Sequence, residues 1–228
     1  MSRLLQRETD KLRKSILTLA ALVEERVRMA ASAIDRRDPD LANKVIEGDH
    51  EIDTMEVDLE EEGLKILALY QPVAIDLRWI VAVLKINNDL ERIGDLAVSI
   101  AKSARFLATQ PPAQIPFDFS AMAEKAQGMF RKSLDAFVGM DAQMAREVLA
   151  ADDELDVMRD QVRQLVRKSV KADPERLESL THLQSVARRL ERVSDHATNI
   201  AEDVIYMVSG EIVRHRTGDT DRTVGPDK

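Results

Sequence analysis

Residues 90–95 read L-E-R-I-G-D, and residues 190–195 read L-E-R-V-S-D, the same pattern written again one hundred positions later. A six-residue echo is weak alone, so its surroundings decide the fold. The pair Asp49 and Asp53 returns as Asp152 and Asp156 at a shift of 103, and Asp38 returns as Asp141 at the same shift. Glu91 and Asp95 return as Glu191 and Asp195 at a shift of 100. Two registers that differ by three residues place that difference in one connection. The chain therefore reads as an internal duplication.

Apolar residues recur with a period of 3.6 through almost the whole chain, and turn residues cut the pattern into six helices. The first is expected over 2–35. Asp38 followed by Pro39 reads as an N-cap with proline at the first helical position, opening a second helix to about residue 70. Pro72 opens a third, to about 108. Three prolines between 109 and 116 cannot lie inside a helix, so the halves divide there. In the second half a helix ends at Gly139, another runs from the cap Asp141 to about 171, and the last starts at Asp173 and Pro174 and runs to about 215. The polar tail 216–228 is expected to be disordered. The fold class is thus all-α: two tandem, duplicated three-helix bundles of long antiparallel helices, over 1–108 and 118–215, joined by a Pro-rich linker at 109–117.

Composition agrees. With 228 residues, 44% of them hydrophobic, the chain can bury a sizeable core as one long domain or two of about 100 residues. Eight glycines and seven prolines are few for a sheet protein. The absence of cysteine excludes disulfides, thiolate metal sites and cysteine nucleophiles. A net charge of −8 without a basic tract argues against a nucleic-acid partner. The apolar run 16–23 is followed by Glu24, Glu25 and Arg26, where a leader would need small residues for cleavage. No run approaches the roughly 20 apolar residues of a membrane span. A cytoplasmic, soluble chain is expected.

The third helix carries an apolar stripe of Trp79, Val83, Ile86, Leu90, Ile93, Ala97 and Ile100. The sixth carries Leu183, Val186, Leu190, Val193, Ala197, Ile200 and Val204. At 100° per residue, Glu91 and Asp95 lie about 100° and 140° round from Leu90, stacked one turn apart beside the stripe. Glu191 and Asp195 repeat this placement. Like charges four apart destabilise a helix by a few tenths of a kcal/mol, and each half writes two such ladders. If the ladders of neighbouring helices adjoin, four carboxylates converge per bundle and repel unless something positive lies among them.

Arginines could supply that charge, with Arg92, Arg192, Arg188 and Arg189 nearest in sequence. The other supplier is a metal ion, and an all-oxygen donor set favours Mg, Ca, Mn or iron. A ferritin-like di-iron centre would need E-x-x-H on two helices, whereas Glu47 to His50 has no counterpart. His196 follows Asp195 but points about 100° away from it, and His182 and His215 stand isolated. No Gly-rich phosphate loop, zinc-protease motif or nucleophile constellation is present, so the chain is not expected to be an enzyme. Arg3, Arg7, Lys11, Arg13 and Lys14 are interspersed with Glu8 and Asp10 and read as a solvated face; Trp79 and the nine methionines read as core.

The tract 71–78, Q-P-V-A-I-D-L-R, together with residues 46–53, I-E-G-D-H-E-I-D, 88–95, N-D-L-E-R-I-G-D, and 190–202, L-E-R-V-S-D-H-A-T-N-I-A-E, resembles the PhoU family of phosphate-uptake regulators. The resemblance covers about residues 3–214. It implies a pair of three-helix bundles, each with a metal-binding acidic motif: Glu91 and Asp95, or Glu191 and Asp195, completed by Asp49, Asp53, Asp152 and Asp156. Arg92, Arg192, His196 and Asn199 are then second-layer or docking residues. Iron or zinc is the metal the family implies, with manganese and magnesium compatible with the donors. Because Gly94 and Leu96 stand where the second copy has Ser194 and His196, the two sites are expected to differ in affinity.

The resemblance further implies a cytoplasmic negative regulator linking the ATPase subunit of a high-affinity phosphate ABC transporter to a membrane sensor histidine kinase. Such a protein forms a homodimer and reaches the inner membrane only through its partners. Two alternatives stay open: a carboxylate-bridged metalloprotein with redox or hydrolytic activity, and an accessory of a different, ion-driven phosphate transporter.

Overall fold

The computed structural model describes residues 3–112 and 115–213; Ser2, His215 and the tail expected over 216–228 lie outside the described residues. Eight α-helices account for nearly all of them: α1 (Arg3–Arg36), α2 (Pro39–Glu47), α3 (Asp49–Tyr70), α4 (Ala74–Thr109), α5 (Phe119–Gly139), α6 (Ala142–Leu149), α7 (Asp153–Ala172) and α8 (Leu177–Ser209). No strand occurs among the described residues.

The first half packs α1, α2 and α3 on α4, and the second packs α5, α6 and α7 on α8. The helices on which the two halves are built, α4 with 36 residues and α8 with 33, also pack on each other. At 1.5 Å per residue they are about 50 Å long. Every residue of the two expected stripes is buried, Leu90 and Val193 at 0% and Leu183 at the margin with 9% exposed. One continuous apolar cluster runs through both halves. Trp79 belongs to it, with the Arg13 guanidinium 5.0 Å above its ring.

The duplication extends to the backbone. Arg37 (φ 52°) and Met140 (φ 50°) both leave a helix in the left-handed conformation. In each case the next residue, Asp38 or Asp141, donates its N–H back to Ala33 or Ala136, at 3.1 and 2.9 Å. Each aspartate then caps the following helix, its carboxylate accepting from two backbone N–H groups. A turn that stops one helix and caps the next fixes the antiparallel return of the chain.

The structure corrects four of the six expected helices. The helix expected over 38–70 is broken into α2 and α3 at Gly48, and its counterpart is broken into α6 and α7 at Ala150–Asp152. The Arg26 guanidinium from α1 lies over this break, its carbon 2.5 Å from where a Cβ at Gly48 would stand, so a side chain there would displace the end of that arginine. The third helix begins at Ala74 rather than Pro72, since the residue before it, Val73, is extended (φ −128°, ψ 159°). Pro174–Arg176 is a separate 3-10 turn, and α8 ends at Ser209, where Gly210 (φ 75°) provides the left-handed cap.

Candidate metal site

Both helix breaks fall on acidic pairs. Asp49 is the first residue of α3, and Asp152 is the N-cap of α7. A helix N-terminus carries partial positive charge and unpaired N–H groups, so carboxylates are tolerated there more readily than mid-helix. α3 packs on α4, which carries Glu91 and Asp95, and α7 packs on α8, which carries Glu191 and Asp195.

Their proton affinities report the convergence. Burial raises the Asp49 pKa first, followed by the charges of Asp53 and of Asp95 across the gap, with Lys102 and Arg26 opposing. Glu91 is raised by burial and Asp95, opposed by Arg92, and raised further by Glu56 and Asp53. In the second half burial, then Asp195, Asp156 and Asp153, push Asp152 up to about 6. Asp195 is raised by burial and then by Asp156. Glu191 is raised by burial and Asp195 against the pull of Arg159. The ladders of the neighbouring helices thus sense one another in both halves.

The carboxylates are not gathered into a preset cage: among the described residues no group of three or more His, Asp or Glu is close enough to hold a metal ion. Arginines lie between them instead. Arg92 reaches Glu91 at 3.4 Å and Asp95 at 3.9 Å, from an exposed position. In the second half the neutralising residue is Arg159, which the sequence reading did not single out. It contacts Glu191, Asp156 at 2.8 Å and Asp160 at 3.3 Å. A signal existed: Arg159 follows Asp156 by three positions, on the same face of its helix.

Of the other arginines, Arg192 contributes charge beside Asp195, and Arg188 lines the same cleft. Arg189 does not take part; it turns to Ser103 on α4, at 3.4 Å. His196 and Asn199 also face α4, where Asp89 accepts from both, at 2.7 and 3.1 Å. His182 stacks on Phe106 with centroids 4.1 Å apart and belongs to the packing between α4 and α8.

The donor chemistry fits a hard or borderline cation. The oxygens all come from side-chain carboxylates, and their raised proton affinity marks a field that an added positive charge would relieve. A bound ion has to draw the facing carboxylates together and, in the second half, to contend with Arg159.

A family profile described as the PhoU domain matches residues 16–104 and again 119–204, one copy per half. The chain is 38% identical to the phosphate-specific transport system accessory protein PhoU homolog of Aquifex aeolicus, over 92% of this chain and 95% of that one. It is 32% identical to the phosphate-specific transport system accessory protein PhoU of Serratia marcescens, over 93% of this chain and 87% of that one. Among solved structures, PhoU from Pseudomonas aeruginosa superposes with a TM-score of 0.86 at 35% identity, covering 90% of this chain and 99% of that one. The phosphate transport system regulatory protein PhoU from Streptococcus pneumoniae gives 0.80 at 27%, covering 92% and 99%.

Proposed function

The chain belongs to the PhoU family, and from that premise we propose that it is a non-catalytic accessory protein of phosphate transport that carries a cation-dependent docking face on each half. Its partners on this reading are the ATPase subunit of a phosphate ABC transporter and a membrane sensor histidine kinase, and its effect is to restrain phosphate uptake and starvation signalling. No helix among the described residues is long and apolar enough to cross a membrane, which agrees with approach to the membrane through those partners. The same reading includes a homodimer.

The observation that supports the proposal is the duplicated electrostatic coupling of acidic ladders on packed helices, Asp49 with Asp53 and Asp95 on α3 and α4, and Asp152 with Asp195 and Asp156 on α7 and α8. Four carboxylates from two helices are a poor docking surface while they repel. A di- or trivalent cation such as iron, zinc, manganese or magnesium would supply the charge that lets them stay ionised together. The chain's own contribution is rigid: α3 against α4, and α7 against α8, hold the ladders at fixed depth on helices that the core immobilises. Partner binding thereby becomes coupled to the charge state of the face.

The test replaces Glu91, Asp95, Glu191 and Asp195 by alanine together. Elemental analysis is expected to show loss of bound metal, and capture of the purified ATPase subunit is expected to fall, with helical circular dichroism retained. Unchanged metal content and unchanged capture in that variant would refute the assignment.

A further inference from the structure

Glu56 on α3 and Arg159 on α7 occupy equivalent positions in the two halves at the same shift of 103 that relates Asp49 to Asp152 and Asp53 to Asp156. Each continues its ladder by one further turn, three residues beyond the second aspartate, toward the adjoining helix. One position therefore carries opposite charge in the two clefts. In the first, the buried Asn87 donates to the Glu56 backbone carbonyl at 2.9 Å and lies 3.4 Å from its Oε1, holding the carboxylate at the cleft wall. Glu56, Glu60, Glu91 and Arg92 line an open volume of about 440 Å³ there, with Lys85 at its edge drawn off to Asp203 at 2.9 Å.

In the second cleft, of about 500 Å³, Arg159 is itself part of the lining together with Glu191 and Asp195. Ala187 stands where the first half has Asn87, so no amide at that position holds the residue opposite. The Arg159 guanidinium crosses from α7 to α8 to meet Glu191, whose side chain is only 11% exposed, while Asp156 and Asp160 grip it from its own helix. The arginine of the first cleft, Arg92, sits on the outside with 55% of its side chain exposed and a longest contact of 3.9 Å. A guanidinium held by three carboxylates does there what a metal ion would do; a loosely placed one is easily displaced.

We propose that Arg159 is a built-in counter-cation that closes the second acidic cleft, so that metal is taken first and more tightly by the first cleft, where Glu56 stands in its place. This rests on the cation-binding reading above. The asymmetry would leave the second half ordered by its own arginine until the first is filled and make the first the more cation-responsive face.

The experiment is titration of the full chain with Zn²⁺ by calorimetry, with metal per chain counted by elemental analysis and folding checked by circular dichroism. Wild type is expected to show one tight site, lost in Glu91→Ala with Asp95→Ala and kept in Glu191→Ala with Asp195→Ala. Glu56→Arg is expected to weaken that site at least tenfold. Arg159→Glu should bring a second site to within a few-fold of the first, and the milder Arg159→Gln should strengthen it partway. If wild type binds Zn²⁺ but both Arg159 variants leave stoichiometry and affinity unchanged, or the tight site follows Glu191 and Asp195, the asymmetry is refuted. Absence of binding by wild type and by Arg159→Glu alike overturns the cation reading with it.

Discussion

Asp89 on α4 and His196 on α8 meet at the junction of the two halves, the imidazole Nδ1 lying 2.7 Å from the carboxylate oxygen that Asn199 also engages. The pair links the two bundles through side chains that are both only 14% exposed. Asp89→Ala is expected to destabilise the protein by about 1–3 kcal/mol, because it removes a charged acceptor and leaves two partly buried donors unpaired. Urea unfolding measures this. A double-mutant cycle with His196→Ala should return a coupling of at least about 0.5 kcal/mol; a coupling of zero would mean the contact contributes nothing.

The caps Asp38 and Asp141 perform one task in two places, each accepting from the N–H groups two and three residues ahead. Replacing either with alanine is expected to cost about 1 kcal/mol. The two variants should have nearly equal midpoints in urea, since the turns before them share their geometry. A large difference would show that the repeat is followed by the backbone but not by the energetics.

These caps were legible because the pairing of aspartate with a following helical period is a local signal, and local signals survive without tertiary knowledge. The apolar stripes around Leu90 and Leu190 were legible for the same reason. The breaks at Gly48 and at Ala150–Asp152 were not. At Gly48 the guanidinium of Arg26 lies over the break from α1, a neighbour that no pattern within α2 and α3 encodes. The site was half legible: spacing placed the acidic ladders on one face and the duplication paired them, but it could not choose among arginines. Arg189 lies beside the motif in sequence and turns to Ser103, whereas Arg159, more than thirty residues away, reaches Glu191. Which cation faces a carboxylate depends on how two helices are rotated, and that is set by the core.

Leu90 and Leu190 lie at matching points of α4 and α8, exposed by 0% and 1%. Truncating either to alanine is expected to cost about 2–5 kcal/mol, the range for a buried leucine whose cavity cannot fully collapse. Because one apolar cluster runs through both halves, each variant should lower a single cooperative transition in calorimetry. Two separated transitions, only one of them displaced, would show that the halves unfold independently.

The pH dependence of stability should carry the mark of the acidic faces. Burial, then Asp195, Asp156 and Asp153, hold the Asp152 carboxyl at a pKa of about 6 in the folded chain, against about 3.9 when unfolded. Between these values the folded state keeps a proton that the unfolded state has released. Stability therefore falls as pH rises from about 4 to about 6, with the full penalty present above 6. Asp49, Glu91, Glu191 and Asp195 are shifted in the same direction and add to the effect. Asp152→Asn is expected to be more stable than wild type by about 1 kcal/mol at pH 7.5 with chelator present, a figure reduced for the solvent screening of a partly exposed group. At pH 4 the two should unfold together. Adding Zn²⁺ at pH 7.5 should stabilise wild type and Asp152→Asn to a similar extent, since the tight site lies in the first cleft and Asp152 is not among its ligands. An Asp152→Asn variant less stable than wild type in chelator would show that this carboxylate is held by attraction, and the repulsive field argued for this face would not exist.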